Sequence, residues 1–137
     1  MKTKIRFLVN SISMTSYRDL KIYQLARIIN EEIFQLTERF PKSELYSLVD
    51  QVRRSSQSVI ANIAEGFGRR SYLQEYVRFL IFAQASCDET REHVITAHNR
   101  KYCTDEEFKL VDDELDHLGR MLTLFIRSLR ATNKRVN

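Results

Sequence analysis

Glu114-Leu-Asp-His117 sets a carboxylate and an imidazole one helical turn apart. This Glu-x-x-His unit is the one from which di-iron sites in helical bundles are built, but such sites need two of them and two further Glu residues. The chain has one. Leu115 and Leu118 belong to an apolar series, which turns Glu114 toward solvent in this reading, so no metal is expected. Cys87 and Cys103 lack any CxxC spacing and read as reduced thiols. Cys87 has no base partner, because Arg91 occupies the position one turn on. His93 and His98 read as surface or boundary residues. Gly66-Phe-Gly68 follows a helical pattern where a dinucleotide-phosphate loop would follow a strand. These residues predict no catalytic group and no cofactor.

A second set is better placed for contacts than for chemistry. Gln51, Arg54, Ser58, Asn62 and Glu65 recur at steps of three and four. At 100° per residue they fall within an arc of about 80°. The stripe runs beside an apolar series, so its side chains are expected to be partly covered and hydrogen-bonded. Two uses follow: a structural network that fixes helix register, or a ligand site. Arg53, Arg54, Arg69, Arg70 and Arg78 lie around it in sequence, and Arg suits phosphate. Tyr72 and Tyr76 offer rings on which bases can stack.

Helices must position all of these. Three Gly and one Pro among 137 residues leave few tight turns, which argues against a sandwich or barrel. Helix one is predicted over about residues 17–39, capped by Ser16 with Asp19, and stopped by Pro41. Its core series is Ile22, Leu25 or Ala26, Ile29, Ile33, Leu36 and Phe40. Helix two is predicted over 43–65 with Leu45, Leu48, Val52, Ser56, Val59 and Ile63 inward, and Gly66 just past its end. Helix three is predicted over 72–100 with Ser71 as cap. Helix four is predicted over 105–129 with Thr104 as cap and Phe108, Val111, Leu115, Leu118, Leu122, Phe125 and Leu129 inward. Short connections make neighbours antiparallel, so the fold class is an all-α, up-down-up-down four-helix bundle over residues 16–130. Residues 1–15 form an N-terminal extension, with Met14 an alternative start, and 131–137 a basic tail.

The net charge is +4, yet residues 16–126 carry 15 basic and 18 acidic side chains. The excess positive charge sits at the ends, as flexible arms for phosphate or simply as solvated termini. No stretch approaches the roughly 20 apolar residues of a membrane span. The expectation is a cytoplasmic protein without membrane contact.

Apolar residues exceed what a bundle core needs. Tyr76, Val77, Leu80 and Ala83 suffice for the core of helix three, yet ten of the fourteen residues from Tyr72 to Ala85 are apolar or aromatic. Helix one has its own surplus in Tyr23, Ile28 and Phe34. Tyr76, Phe79, Ile81 and Phe82 are the expected subunit interface, the alternative being burial under the extension or in a wide core.

The run Gln51-Val-Arg-Arg-Ser-Ser-Gln-Ser-Val-Ile-Ala-Asn-Ile-Ala-Glu-Gly66 resembles the signature of the four-helix-bundle proteins encoded by intervening sequences in large-subunit (23S) ribosomal RNA genes. Tyr17-Arg-Asp-Leu-Lys21, Ala26, Phe40-Pro41, Glu44, Leu48, Phe79-Leu80, Ala83, Ser86 and Glu89 match as well. Departures are Tyr23 for a usual Trp, Ala85 for a usual Gly, and Thr90-Arg91 for a Leu-acidic pair, the last expected to alter a contact in helix three. The resemblance implies an antiparallel bundle, commonly a homopentameric ring, and an older "ribosomal protein" label drawn from gene context. It also implies kinship with accessory proteins of diversity-generating retroelements, which bind a reverse transcriptase and nucleic acid. The resulting expectation is a non-enzymatic homo-oligomer, its partners being itself, RNA or DNA, and a nucleic-acid-processing protein. The alternatives are a protein-interaction scaffold without nucleic-acid affinity and, more remotely, a bundle metalloprotein.

Overall fold

The computed structural model describes residues 14–136, with side chains to Lys134. Residues 1–13 of the expected extension lie outside the described residues. There are four long helices, α1 (Lys21–Thr37), α2 (Leu48–Gly68), α3 (Leu73–Asn99) and α4 (Asp105–Val136), with short 3-10 turns at Tyr17–Asp19 before α1 and at Lys42–Glu44 between α1 and α2.

Cross-helix hydrogen bonds fix the directions. Asn30 meets Ser56 and Thr37 meets Arg53 between α1 and α2. Ser58 meets Ser86 and Ser55 meets Thr90 between α2 and α3. Gln84 meets Thr123 and Arg91 meets Asp112 between α3 and α4. Arg39 pairs with Glu107 between α1 and α4. Along each successive pair the partner's number falls as the other rises, so the four helices alternate in direction, and Arg39, just past α1, closes the expected bundle onto the start of α4. Ile29, Ile33, Ile63, Leu80, Leu115, Leu118 and Leu122 are the largest wholly buried side chains.

The helix ends depart from the sequence reading in instructive ways. Ser16 accepts from the Arg18 amide at 3.2 Å, which closes the 3-10 turn rather than capping α1. Leu20 is extended and buried, so α1 begins only at Lys21. Likewise α2 begins at Leu48, and Leu45, expected in the core, is 46% exposed. Glu44 explains that shift. Its carboxylate accepts from Ser47 Oγ (2.6 Å), Tyr102 Oη (2.9 Å) and Arg100 (3.1 Å), and these donors hold it below the usual carboxylate range. One side chain thus ties the α1–α2 connection to the α3–α4 connection. Thr104 and Glu107 form a reciprocal capping box at 3.1 and 3.0 Å, starting α4 as expected. That helix runs to Val136, beyond the predicted end and through the supposed tail.

Gly66 is not a terminator. It lies inside α2, buried, where a Cβ would stand 3.1 Å from Phe79 Cβ and 3.3 Å from the Tyr76 carbonyl oxygen. Its absent side chain lets α3 approach.

The end of α3 carries backbone strain. The Tyr102 amide donates to Ala97 and the Lys101 amide to His98, both at 2.9 Å, in a Schellman arrangement. Lys101 holds the left-handed position at φ 61°, a conformation that glycine adopts without the clash a Cβ causes. Lys101→Gly should therefore raise unfolding free energy by about 1 kcal/mol, read as a higher urea midpoint at unchanged m-value. A lower midpoint would show that the Lys101 side chain contributes more than its conformation costs.

Candidate nucleic-acid interface

The residues with chemical potential are kept apart. Cys87 is buried, donates its S–H to the Leu115 carbonyl at 3.3 Å, and is pushed up to about 12 by burial first and by Asp88 second. It is a packed thiol and a poor nucleophile. Cys103 is also raised by burial. His98 stacks on Phe108 at 4.2 Å and contacts Asp105 at 2.7 Å. Among the described residues no group of three or more His, Cys, Asp and Glu side chains gathers as a metal site would. Glu114 does not face solvent, however. It turns toward Glu32 of α1, and one oxygen of each carboxyl is buried without a donor. His117, its sequence partner, is exposed.

The polar stripe divides. Ser58 and Asn62 are half-buried and bonded: Ser58 lies 2.9 Å from Ser86, and Asn62 donates to Ser58 O at 2.9 Å. Buried Ser55 and Ser56 extend this ladder, Ser55 to Thr90 at 2.9 Å and Ser56 to Asn30 at 3.2 Å. Gln51, Arg54 and Glu65, expected to be covered, are exposed; Arg54 and Glu65 sit at one edge of the arc, whereas Gln51 lies at the angle of Ser58 and Asn62 but in the first turns of α2. Thr90 and Arg91, the departures from the family pattern, both make cross-helix contacts. Thr90 completes the hydroxyl ladder, and Arg91 holds Asp112 and Asp116 of α4 at 3.0 and 3.1 Å.

The five arginines do not form one cluster. Arg53 donates to Thr37 at 2.9 Å and lies 4.3 Å from the Phe34 ring centre, while Arg54 pairs with Asp50 at 3.1 Å. Arg69 lies roughly 24 Å further along the axis at 1.5 Å per residue. There Arg69 is held by Glu65 (3.0 Å) and Glu75 (3.6 Å) over Phe79, Arg70 lies 4.1 Å from the Phe67 ring centre, and Arg78 stands over Phe82 near Glu75. Each of these planes lies over an aromatic face, while the edges of Arg69 are taken by Glu65 and Glu75 and Arg70 donates to the Phe67 carbonyl at 3.0 Å.

Antiparallel packing gives Arg69, Arg70 and Arg78 different neighbours from those expected. The start of α1 adds Lys21 and Arg27, with Arg18 just before it, and the end of α4 adds Arg120, Arg127, Arg130 and Lys134. Divide the described helices at mid-height, after Ile28, Val59, Ala85 and His117. One pole holds these ten cations against Asp19, Glu65 and Glu75, a formal +7. The other holds eight cations against fifteen carboxylates, a formal −7. Pairing sharpens the contrast. At the acidic pole Arg39, Arg54, Arg91, Arg100 and Lys109 are all in ion pairs. At the basic pole Lys21, Arg127, Arg130 and Lys134 have no ion-pair or hydrogen-bond partner among the described residues.

The expected subunit interface also splits. Tyr76 is buried in the core against Phe67 and Phe125. Phe79 and Phe82 meet edge to face at 5.6 Å on the outer side of α3, Phe82 being 41% exposed, and Ile81 is turned toward α4. On α1, Tyr23 is buried, while Ile28 and Phe34 are exposed.

Fold and surface together define an antiparallel four-helix bundle with a cationic and an anionic pole. The family model described as 23S rRNA-intervening sequence protein matches residues 18–124, and the chain belongs to that family. No match is found among curated proteins. No helix among the described residues is long and apolar enough to cross a membrane.

The Glu32–Glu114 pair sets a pH dependence. Two facing carboxylates repel, and a shared proton satisfies both. Burial first, and Glu114 second, push Glu32 up to about 7, against about 4.3 in an unfolded chain. The folded state thus keeps a proton that the unfolded state releases. The pair's favourable contribution is complete below about pH 4 and is lost as pH rises through about 7. Glu32→Gln should raise Tm by a few degrees at pH 8, with the gain shrinking toward pH 4.5. A pH-independent difference in thermal melts would refute the pairing.

Proposed function

We propose that the chain is a non-enzymatic, homo-oligomeric protein that binds nucleic acid through its basic pole. The observation that carries this is the segregation of charge, with ten cations facing three carboxylates and four of the cations unpartnered among the described residues. Unpaired cations held on rigid helices suit phosphate, and displacing condensed counterions drives the binding. The family's description names an intervening sequence of 23S rRNA, so structured RNA is the first ligand to test. Phe79 and Phe82 on α3 offer the apolar contact for self-association, and the resemblance to ring-forming relatives favours a pentamer. Assembly repeats a weak patch and multiplies its avidity.

Labelled structured RNA titrated across salt tests the reading. Saturable binding should weaken steeply with salt. Arg69→Ala/Arg70→Ala should weaken it about tenfold and flatten the salt slope by roughly one to two, whereas Arg53→Ala/Arg54→Ala, at the other pole, should change little. Phe82→Asp should lower the mass measured by light scattering to that of a smaller species. The second reading, a scaffold without nucleic-acid affinity, draws on Arg69 and Arg78 already having carboxylate partners. Absence of RNA binding at low salt would select it.

A further inference from the structure

The seam between α3 and α4 is grooved along its basic half. One stretch, of about 420 Å³, is bordered by Gln84, Arg120, Thr123, Leu124 and Arg127. The next, of about 470 Å³, is bordered by Leu73, Val77, Arg78, Ile81, Phe82, Arg130 and Lys134, so the groove reaches the face offered for self-association. Ile81 to Gln84 on α3, and Arg127 to Arg130 to Lys134 on α4, are single turns of the same helix faces, so the two stretches follow one another. From Arg120 to Lys134 the path is roughly 21 Å long at 1.5 Å per residue. Asp88 and Asp116 stand at its upper limit, where Asp116 is taken up by Arg91 (3.1 Å) and Arg120 (2.9 Å).

We infer that this groove seats a single, unpaired strand of nucleic acid, an inference that rests on the nucleic-acid reading above and narrows it. The wall on α3 carries Leu73, Val77, Ile81 and Phe82 among Gln74, Arg78 and Gln84, with Ile81 39% exposed, and Leu124 on α4 is 57% exposed. The rim on α4 is cationic, and Arg127, Arg130 and Lys134 have no partner among the described residues. A strand presents phosphates on one side and base or sugar faces on the other, which matches a charged rim beside an apolar wall. A duplex stacks its bases inward and offers the wall nothing. Tyr72, 74% exposed, immediately precedes Leu73 at the open end and supplies a ring for a base. Phosphates are drawn toward Lys134 and repelled at Asp88, which sets where the strand stops.

The test compares a labelled oligouridylate with an RNA duplex of equal length, by fluorescence anisotropy on the full chain. The strand should bind about tenfold tighter or better. Tyr72→Ala/Ile81→Ser should lose about tenfold on the strand, leave the duplex unchanged and keep the salt slope. Arg130→Ala/Lys134→Ala should weaken strand binding and flatten its slope by about 1.4. Both variants replace exposed or groove-lining side chains, and unchanged thermal melts and light-scattering mass verify that they fold and assemble. Photo-cross-links from a 4-thiouridine strand should map to the α3 and α4 residues bordering the groove. Equal affinity for strand and duplex, or a Tyr72→Ala/Ile81→Ser variant that binds like wild type, overturns the groove while leaving nucleic-acid binding at the pole in place. A wild-type protein that binds neither ligand overturns both.

Discussion

The close approach of α2 and α3 is the contact on which the other helices depend. It is made of small groups: the missing side chain of Gly66 against Phe79 and Tyr76, then Ser58 against Ser86, then Ser55 against Thr90. Hydroxyls here do two things. They keep the interface narrow, and each must find its partner at one height, so sliding by a turn would strand polar atoms in a dry seam. Register along this pair then fixes how high α1 and α4 stand, because Asn30 reaches Ser56 from one side and Arg91 reaches Asp112 and Asp116 on the other.

The acidic pole is organised as a set of ties. Glu44 gathers Ser47, Arg100 and Tyr102 and so binds both connections at that end. Arg39 joins α1 to Glu107 in the first turn of α4 and holds that carboxyl at about 2, chiefly through its own hydrogen bond. Cations there are spent on structure. At the opposite pole Arg69 and Arg70 lie over aromatic rings, and although Glu65 and Glu75 pair with Arg69, the cations there far outnumber the carboxylates. That surplus of cations distinguishes the two ends.

Helix number, order and direction were readable because the apolar series of α1 and α4 repeat at one period and the connections are short. The cap of α4 was readable because Thr104 and Glu107 have the right spacing. What failed depended on partners distant in sequence. Leu45 fits the apolar series of α2, yet Glu44 draws the chain into a turn and α2 starts later. Glu114 sits beside core leucines and was expected outside, but it faces Glu32 of α1, a partner distant in sequence. Tyr76 matched both the core and the surplus, and periodicity alone could not choose; packing against Phe67 and Phe125 did. The basic pole was present in the sequence as scattered arginines and a supposed tail. Charge assigned by end of the bundle, rather than by distance along the chain, would have revealed it.

A body with opposite charge at its two ends carries a permanent electric dipole along its long axis. A polyanion therefore exerts a torque on it before contact, and productive encounters begin from one orientation. Copies set side by side in the same sense place like ends together, so their association is opposed by self-repulsion that added electrolyte relieves. Capture of a polyanion responds in the opposite way, since electrolyte competes for the same cations. On the proposed reading, assembly and capture would draw on one charge distribution with contrary responses to ionic strength, and the two would be best satisfied together within an intermediate range.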